Sequence, residues 1–119
     1  MEYFMHLKDR SFAAIKAKTK RIEIRVKTDR PQRVDYEKLE VGDIIIFENS
    51  TTKEKMKCEI EEINWYKTAE EMLTNEGTRY TLSSTNDFTE GIKSLYNIPD
   101  YKEGIEKNGV FAIHIRPEE

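Results

Sequence analysis

The chain has 119 residues, 37% hydrophobic and 36% charged, which is enough for one domain around a modest core. No apolar run approaches the roughly 20 residues that span a bilayer, and residues 1–4 lack the basic and apolar regions of a signal peptide. We therefore expect a cytoplasmic protein that does not enter a membrane. Its single cysteine, Cys58, excludes an intrachain disulfide.

The charge is unevenly distributed. The net charge of −3 argues against broad, non-specific binding to nucleic acid. Residues 1–38 carry eleven Lys or Arg against six Asp or Glu, whereas the remainder carries nine against seventeen. A basic segment on an acidic body favours a localised anion site, although an ordinary mixed-sign surface is an equal alternative. The two histidines lie far apart in sequence, and we predict neither a metal site nor a cofactor.

The chain opens with a short predicted strand at residues 4–7 and a helix that Asp9 or Ser11 can cap. Phe12 and Ile15 give this helix one apolar face. The helix must end where the apolar pattern changes from a helical period to a period of two. A strand therefore follows directly after the helix.

This second strand has one apolar and one charged face. The apolar set is Ile22, Ile24 and Val26, and the charged set is Arg21, Glu23, Arg25 and Lys27. Successive side chains of a strand point to opposite faces. We therefore expect Ile22 and Ile24 to be buried on the barrel side, with Glu23 and Arg25 on the other face. Lys20 opens the strand and can still turn towards its polar side.

A polar loop with a proline occupies residues 29–33 and leads to an apolar strand at residues 44–47. The unbroken apolar run of that strand predicts burial on both faces. A third strand, at residues 56–60, alternates between apolar and charged side chains. Cys58 belongs to its apolar set, so we expect a buried, inert thiol rather than a nucleophile.

The second half of the chain predicts helices followed by a final strand. A capping box at residues 68–71 opens a short helix, and residues 78–86 are polar and predicted to form a loop. Residues 88–96 have a helical apolar period, and residues 101–107 are predicted to be irregular or one helical turn. The last strand covers residues 110–115. The fold class is therefore α+β, with four to six strands in a small mixed or antiparallel β-barrel and two or three peripheral helices.

A set of residues spread over nearly the whole chain resembles a known family. The set is His6, Leu7, Phe12, Ile15, Lys20, Ile22, Glu23, Ile24, Arg25, Asp29, Arg33, Val41, Gly42, Asp43, Ile46, Phe47, Tyr96, Gly109, Val110, Ala112 and Ile113. Its most specific part is Lys-x-x-Glu-x-Arg with the later Gly-Asp pair, and it resembles the ASCH domain of the PUA-like superfamily. The resemblance implies one PUA-like β-barrel domain over residues 1–119. It also implies a cleft at the first helix-to-strand junction that presents Lys20, Glu23 and Arg25 to RNA or a nucleotide.

One bacterial branch with this fold removes the acetyl group from N4-acetylcytidine. The resemblance to that branch implies a catalytic lysine at Lys20, but the branch has a threonine where this chain has Glu23. Its third group is a glutamate, for which Glu76 is the nearest candidate here. A further departure is Lys18, where many family members have a glycine that ends the helix, so we expect Lys18 at a positive φ.

The residue types themselves support an anion site at the strand. The guanidinium of Arg25 is a planar fork suited to phosphate or carboxylate, and the ammonium of Lys20 is a point charge. Glu23 between them can accept hydrogen bonds from a base or a sugar, or it can simply hold the two cations in place. An internal ion-pair cluster with no ligand is the alternative interpretation.

Three further residues are candidates for ligand contacts. Trp65 and Tyr66 can stack on a base, although an aromatic residue after a strand is more often part of the core or rim. Arg33 can close over the cleft or remain exposed to solvent. We favour a binding module for RNA or a nucleotide. The alternative is an amidohydrolase for an acylated nucleoside such as N4-acetylcytidine, with Lys20 as nucleophile or base and Glu23 supporting it.

Overall fold

A computed structural model describes residues 1–30, 34–82 and 85–118. In these parts of the chain five strands form one sheet, and four α-helices flank it. The strands are β1 (Glu2–Leu7), β2 (Ile22–Arg25), β3 (Ile44–Asn49), β4 (Lys55–Tyr66) and β5 (Val110–Pro117). The helices are α1 (Asp9–Lys16), α2 (Ala69–Glu76), α3 (Phe88–Tyr96) and α4 (Tyr101–Asn108), and a short 3-10 helix spans Tyr36–Lys38.

The sheet has the strand order β1-β3-β4-β5-β2. Strands β1 and β3 are parallel, and the other neighbours are antiparallel. The sheet curls into a half-barrel, so the α+β class and the predicted small mixed barrel are confirmed. Its outer strands are β1 and β2, and a side-chain hydrogen bond joins them, because Nη2 of Arg25 donates to the carbonyl oxygen of His6 at 3.1 Å.

Two hydrophobic cores lie on opposite faces of the sheet. The first is the interior of the half-barrel, where α1 contributes Phe12 and Ile15 against Phe47 and Ile113. The second lies on the outer face, under α2, α3 and α4. Its members include Ile22, Ile24, Val26, Met72, Leu73, Leu95, Ile105 and Ala112.

The face assignment of β2 corrects our expectation. Ile22 and Ile24 are buried, as predicted, but they belong to the core beneath the helices rather than to the barrel interior. Glu23 is paired in register with Ile113, which belongs to the interior core, so Glu23 and Arg25 face the interior. The alternating pattern alone could not show that helices cover the outer face. Because they do cover it, both faces of β2 are enclosed.

The helix count also differs from the prediction of two or three. Residues 101–107, predicted as irregular or a helical turn, form most of α4. Gly104 allows this helix to lie directly on the chain leaving β2, because a Cβ there would lie 2.7 Å from Cγ1 of Val26.

Cys58 is fully buried, and burial raises the pKa of its thiol to about 12, as expected of an inert cysteine. Within the described residues, no helix is both long and apolar enough to cross a membrane.

Candidate functional site

The junction between α1 and β2 is a tight helix end. The amide of Lys18 donates to the carbonyl oxygen of Ile15, and the amide of Thr19 donates to that of Ala14, both at 3.0 Å. This pair of bonds is a Schellman motif, in which the residue after the cap adopts the left-handed conformation. Lys18 has φ 65°, which is the positive φ expected at this position. The turn brings Lys20 inward at the start of β2.

Lys20, Glu23 and Arg25 converge on one another, and we call them the buried cluster. Only 6% of the Lys20 side chain, 8% of the Glu23 side chain and 18% of the Arg25 side chain is exposed. Nη2 and Nε of Arg25 lie 2.6 and 3.1 Å from Oε2 of Glu23. Nζ of Lys20 lies 3.6 Å from Oε1 of the same carboxylate. The carboxylate of Glu23 is therefore flanked by two cations.

The cations of the buried cluster also bind backbone carbonyl groups from distant segments. Nζ of Lys20 donates to the carbonyl oxygen of Thr81 at 2.5 Å. Arg25 donates to the carbonyl oxygen of His6 on β1. The cluster thus connects β2 both to the opposite edge of the half-barrel and to the segment that follows α2.

Burial and mutual attraction act in opposite directions on these charges. Burial lowers the pKa of Lys20, and the charge of Glu23 opposes that effect only in part. Burial also disfavours the charge of Arg25, but the charge of Glu23, its hydrogen bond to Arg25, and Tyr101 and Tyr36 together outweigh burial and raise the pKa of Arg25. Arg25 is thus a permanent cation, whereas Lys20 gives up its proton more readily than an ordinary lysine.

Lys20 also lines a cavity of about 200 Å³ between the start of β2 and the end of β5, which we call the Lys20 cavity. Its lining consists of Lys18, Lys20, Arg21, Glu61, Ile115, Arg116 and Pro117. Four of these side chains are cationic and one is anionic. The volume is below the usual range for drug-sized ligands, so the cavity suits a group no larger than a base or a phosphate.

The two aromatic residues that were predicted as ligand contacts, Trp65 and Tyr66, have other partners than the buried cluster. Trp65 and Tyr66 point to opposite faces of β4, as adjacent residues of a strand must. The indole of Trp65 is half exposed and donates to the carbonyl oxygen of Asn108 at 3.0 Å. The hydroxyl of Tyr66 donates to Oε1 of Glu76 at 2.9 Å. Arg33 lies outside the described residues.

Glu76, the candidate third catalytic group, belongs to a different polar cluster. Its Oε2 lies 2.6 Å from Nε2 of His114, and Glu62 lies 3.3 Å from the same nitrogen. His114 is paired in register with Ile22, so this cluster lies on the helix-covered face, opposite Glu23. Within the described chain, Glu62, Glu76 and His114 are a set that could hold a cation, since their ligand atoms lie within 4.8 Å of one another.

Sequence reasoning missed two residues close to the junction. Arg79 and Tyr80 fall in the segment that we predicted only as a polar loop, where periodicity gives no signal. The guanidinium carbon of Arg21 lies 4.2 Å from the ring centre of Tyr80, and that of Arg79 lies 5.1 Å from it. A basic residue next to an aromatic one in the acidic part of the chain was the available hint.

Comparison with known proteins identifies relatives over the full fold. The family model of the ASCH domain matches residues 5–119. The crystal structure of hypothetical protein PH0355 is similar at 32% identity and TM-score 0.81, covering 99% of this chain and 100% of that one. A solution structure of a Pyrococcus furiosus protein matches at 31% identity and TM-score 0.75, covering 100% and 99%. A Zymomonas mobilis ASCH protein shares the fold at 14% identity and TM-score 0.55, covering 98% and 70%. No curated protein matches the sequence.

Proposed function

Because the chain belongs to the ASCH domain family, which is associated with RNA-binding PUA-like modules, we propose that it binds RNA or a nucleotide-like ligand at the α1–β2 junction. The observation that carries this proposal is the Lys20 cavity. Its lining has four cations and one carboxylate in a chain whose net charge is −3, although Arg116 is paired with Glu59 at 2.7 Å and Lys20 with Glu23 at 3.6 Å. A local excess of positive charge on an acidic protein suits an anionic ligand of limited size.

In this proposal the members of the buried cluster have different roles. Lys20 is the member that reaches the ligand, at the base of the cavity, while Lys18, Arg21 and Arg116 supply its charged rim. Glu23 and Arg25 position Lys20 rather than contact the ligand, because their hydrogen bonds run to each other and to the backbone. Trp65 and Tyr66 lie outside this binding site.

Replacing Lys18 by glycine tests the proposal with two measurements, stability and nucleotide affinity, that should change in opposite directions. We expect the free energy of unfolding to rise by about 1 kcal/mol, because glycine adopts the left-handed conformation without the cost that a side chain carries there. We expect the affinity for ribonucleoside monophosphates to fall several-fold, because one cation of the cavity is lost. Urea melts measure the first effect, and calorimetric titration at low and moderate salt measures the second.

Arg10→Gln is the matched control for charge. Arg10 is exposed in the first turn of α1, about 12 Å along the helix axis from Lys18. It should leave nucleotide affinity unchanged. A Lys18→Gly protein that is more stable but binds every nucleotide as tightly as the native chain would remove Lys18 from the site. Absence of binding to all four monophosphates and to a short RNA would reject the proposed function.

One observation favours a second candidate, the amidohydrolase. Burial lowers the pKa of Lys20, and a lysine that is neutral more often can act as a nucleophile or a base. We expect any release of cytidine from N4-acetylcytidine to disappear in Lys20→Ala. Turnover that survives this substitution would exclude Lys20 as the catalytic group, and the absence of any turnover would exclude this substrate.

A further inference from the structure

A second basic cavity lies beside the Lys20 cavity and contains the residues that sequence reasoning missed. We call it the Tyr80 surface, and its charged and aromatic lining residues are Lys18, Arg21, Arg79 and Tyr80. It encloses about 570 Å³, and its remaining lining comes from Ala14, Thr19, Leu82, Thr85 and Asn86. Three of its described lining residues are cations and none is a carboxylate. Among the described residues that line this surface, the charge is entirely positive.

The arrangement of the two arginines supports an anionic ligand. The guanidinium groups of Arg21 and Arg79 both lie within about 5 Å of the centre of one aromatic ring, that of Tyr80. Contact with the ring attracts each cation, but the two like charges also repel one another. A phosphate next to either guanidinium group would offset part of that repulsion and accept charge-assisted hydrogen bonds.

The backbone fixes the Tyr80 surface relative to the Lys20 cavity. The amides of Arg21 and Ile22 both donate to the carbonyl oxygen of Tyr80, at 2.7 and 3.0 Å. The next carbonyl group, that of Thr81, accepts the bond from Lys20. Lys18 lines both cavities. The two cavities therefore form one continuous basic path around the start of β2.

We propose that the Tyr80 surface binds the backbone phosphates of single-stranded RNA next to the nucleotide held in the Lys20 cavity. This inference rests on the proposed function and makes the ligand a strand rather than a free mononucleotide. The guanidinium planes of Arg21 and Arg79, both on exposed side chains, can stack with unpaired bases, which a duplex does not offer. The path is also short, whereas duplex-binding modules contact successive grooves over about 16 base pairs.

The length of the RNA separates this inference from the proposed function. We expect an oligouridine hexamer to bind at least tenfold more tightly than uridine monophosphate. Arg79→Gln should weaken hexamer binding about tenfold and reduce the salt slope by about one, because one phosphate contact is lost. Its affinity for the monophosphate should stay unchanged, since Arg79 does not line the Lys20 cavity. Arg10→Gln again serves as the control, and fluorescence anisotropy across a salt series gives both quantities.

A second pair of variants tests the ring itself. Tyr80→Leu should weaken hexamer binding, because the two guanidinium groups lose their common contact, and Tyr80→Phe should retain it. The inference is wrong if hexamer and monophosphate bind equally well or if Arg79→Gln leaves hexamer binding unchanged, and the proposed function stands in both cases. A duplex of the same length that binds as tightly as the single strand would also overturn it. Loss of all nucleotide binding by the native protein would reject both.

Discussion

Replacing Arg25 by alanine is expected to lower the free energy of unfolding by about 3–5 kcal/mol. The guanidinium makes two hydrogen bonds to Glu23, whose side chain is only 8% exposed, and a third bond to the carbonyl oxygen of His6. Alanine would remove the nearest partner of a buried carboxylate and also the link between the two edge strands. Urea melts followed by circular dichroism would measure the loss.

Ile24→Ala provides the comparison on the same strand. Ile24 is 7% exposed in the core beneath the helices, and a large-to-small change there costs about 2–5 kcal/mol. Similar losses for the two variants would mean that Arg25 acts as an internal structural group. A loss below about 1 kcal/mol for Arg25→Ala, as for exposed ion pairs, would instead indicate that Arg25 contributes to ligand binding, as the sequence suggested.

The sequence predicted much of β2 because a period of two is a local property. It placed the apolar and charged side chains on opposite faces and identified Lys20, Glu23 and Arg25 as one group, which the structure brings together. It could not say which face was the interior, since that depends on helices α2, α3 and α4, far along the chain. The sequence also left open whether the three charged side chains contact a ligand or each other, because that depends on how deeply they lie inside the half-barrel.

The helix end at Lys18 was predictable, whereas the Tyr80 surface was not. The family resemblance implied a glycine-type helix end at Lys18 and therefore a positive φ there, and the structure has this φ. Arg79 and Tyr80 follow α2 without any periodic pattern, and hydrogen bonds from the start of β2 fix their position. Trp65 and Tyr66 were named as candidates for stacking on a base, with the core or rim as the alternative. Neighbouring side chains of a continuous strand point apart, so the two lie on opposite faces of β4.

Replacing Glu23 by glutamine is expected to cost about 3–5 kcal/mol at pH 7, because it removes the one carboxylate between two buried cations. The change keeps the side-chain volume and removes only the negative charge, so the loss of stability reports electrostatics rather than packing. The stability difference from the native protein should then become smaller as the pH rises towards 9.5. Thermal and urea melts at several pH values measure that trend.

The direction of this trend follows from the pKa of Lys20 in the folded and unfolded chain. Burial already lowers its pKa below the ordinary lysine value of 10.5, and Glu23 opposes that shift. Without Glu23 the folded-state pKa falls further, while the unfolded chain keeps the ordinary value. Between these two pKa values the unfolded chain binds more protons than the folded one, so stability rises with pH in that window.

Lys20→Met in the Glu23→Gln background serves as the control for this pH dependence. It removes the titrating ammonium, so the double variant should lose the alkaline recovery of the single variant. Measurements should stop below pH 10, because burial raises the pKa of Tyr101 to about 12 and stability then falls as tyrosines in the unfolded chain ionise. A difference between Glu23→Gln and the native protein that stays constant from pH 7 to 9.5 would show that Lys20 does not carry a charge stabilised by Glu23. Its contribution would then come from its hydrogen bond to Thr81 alone.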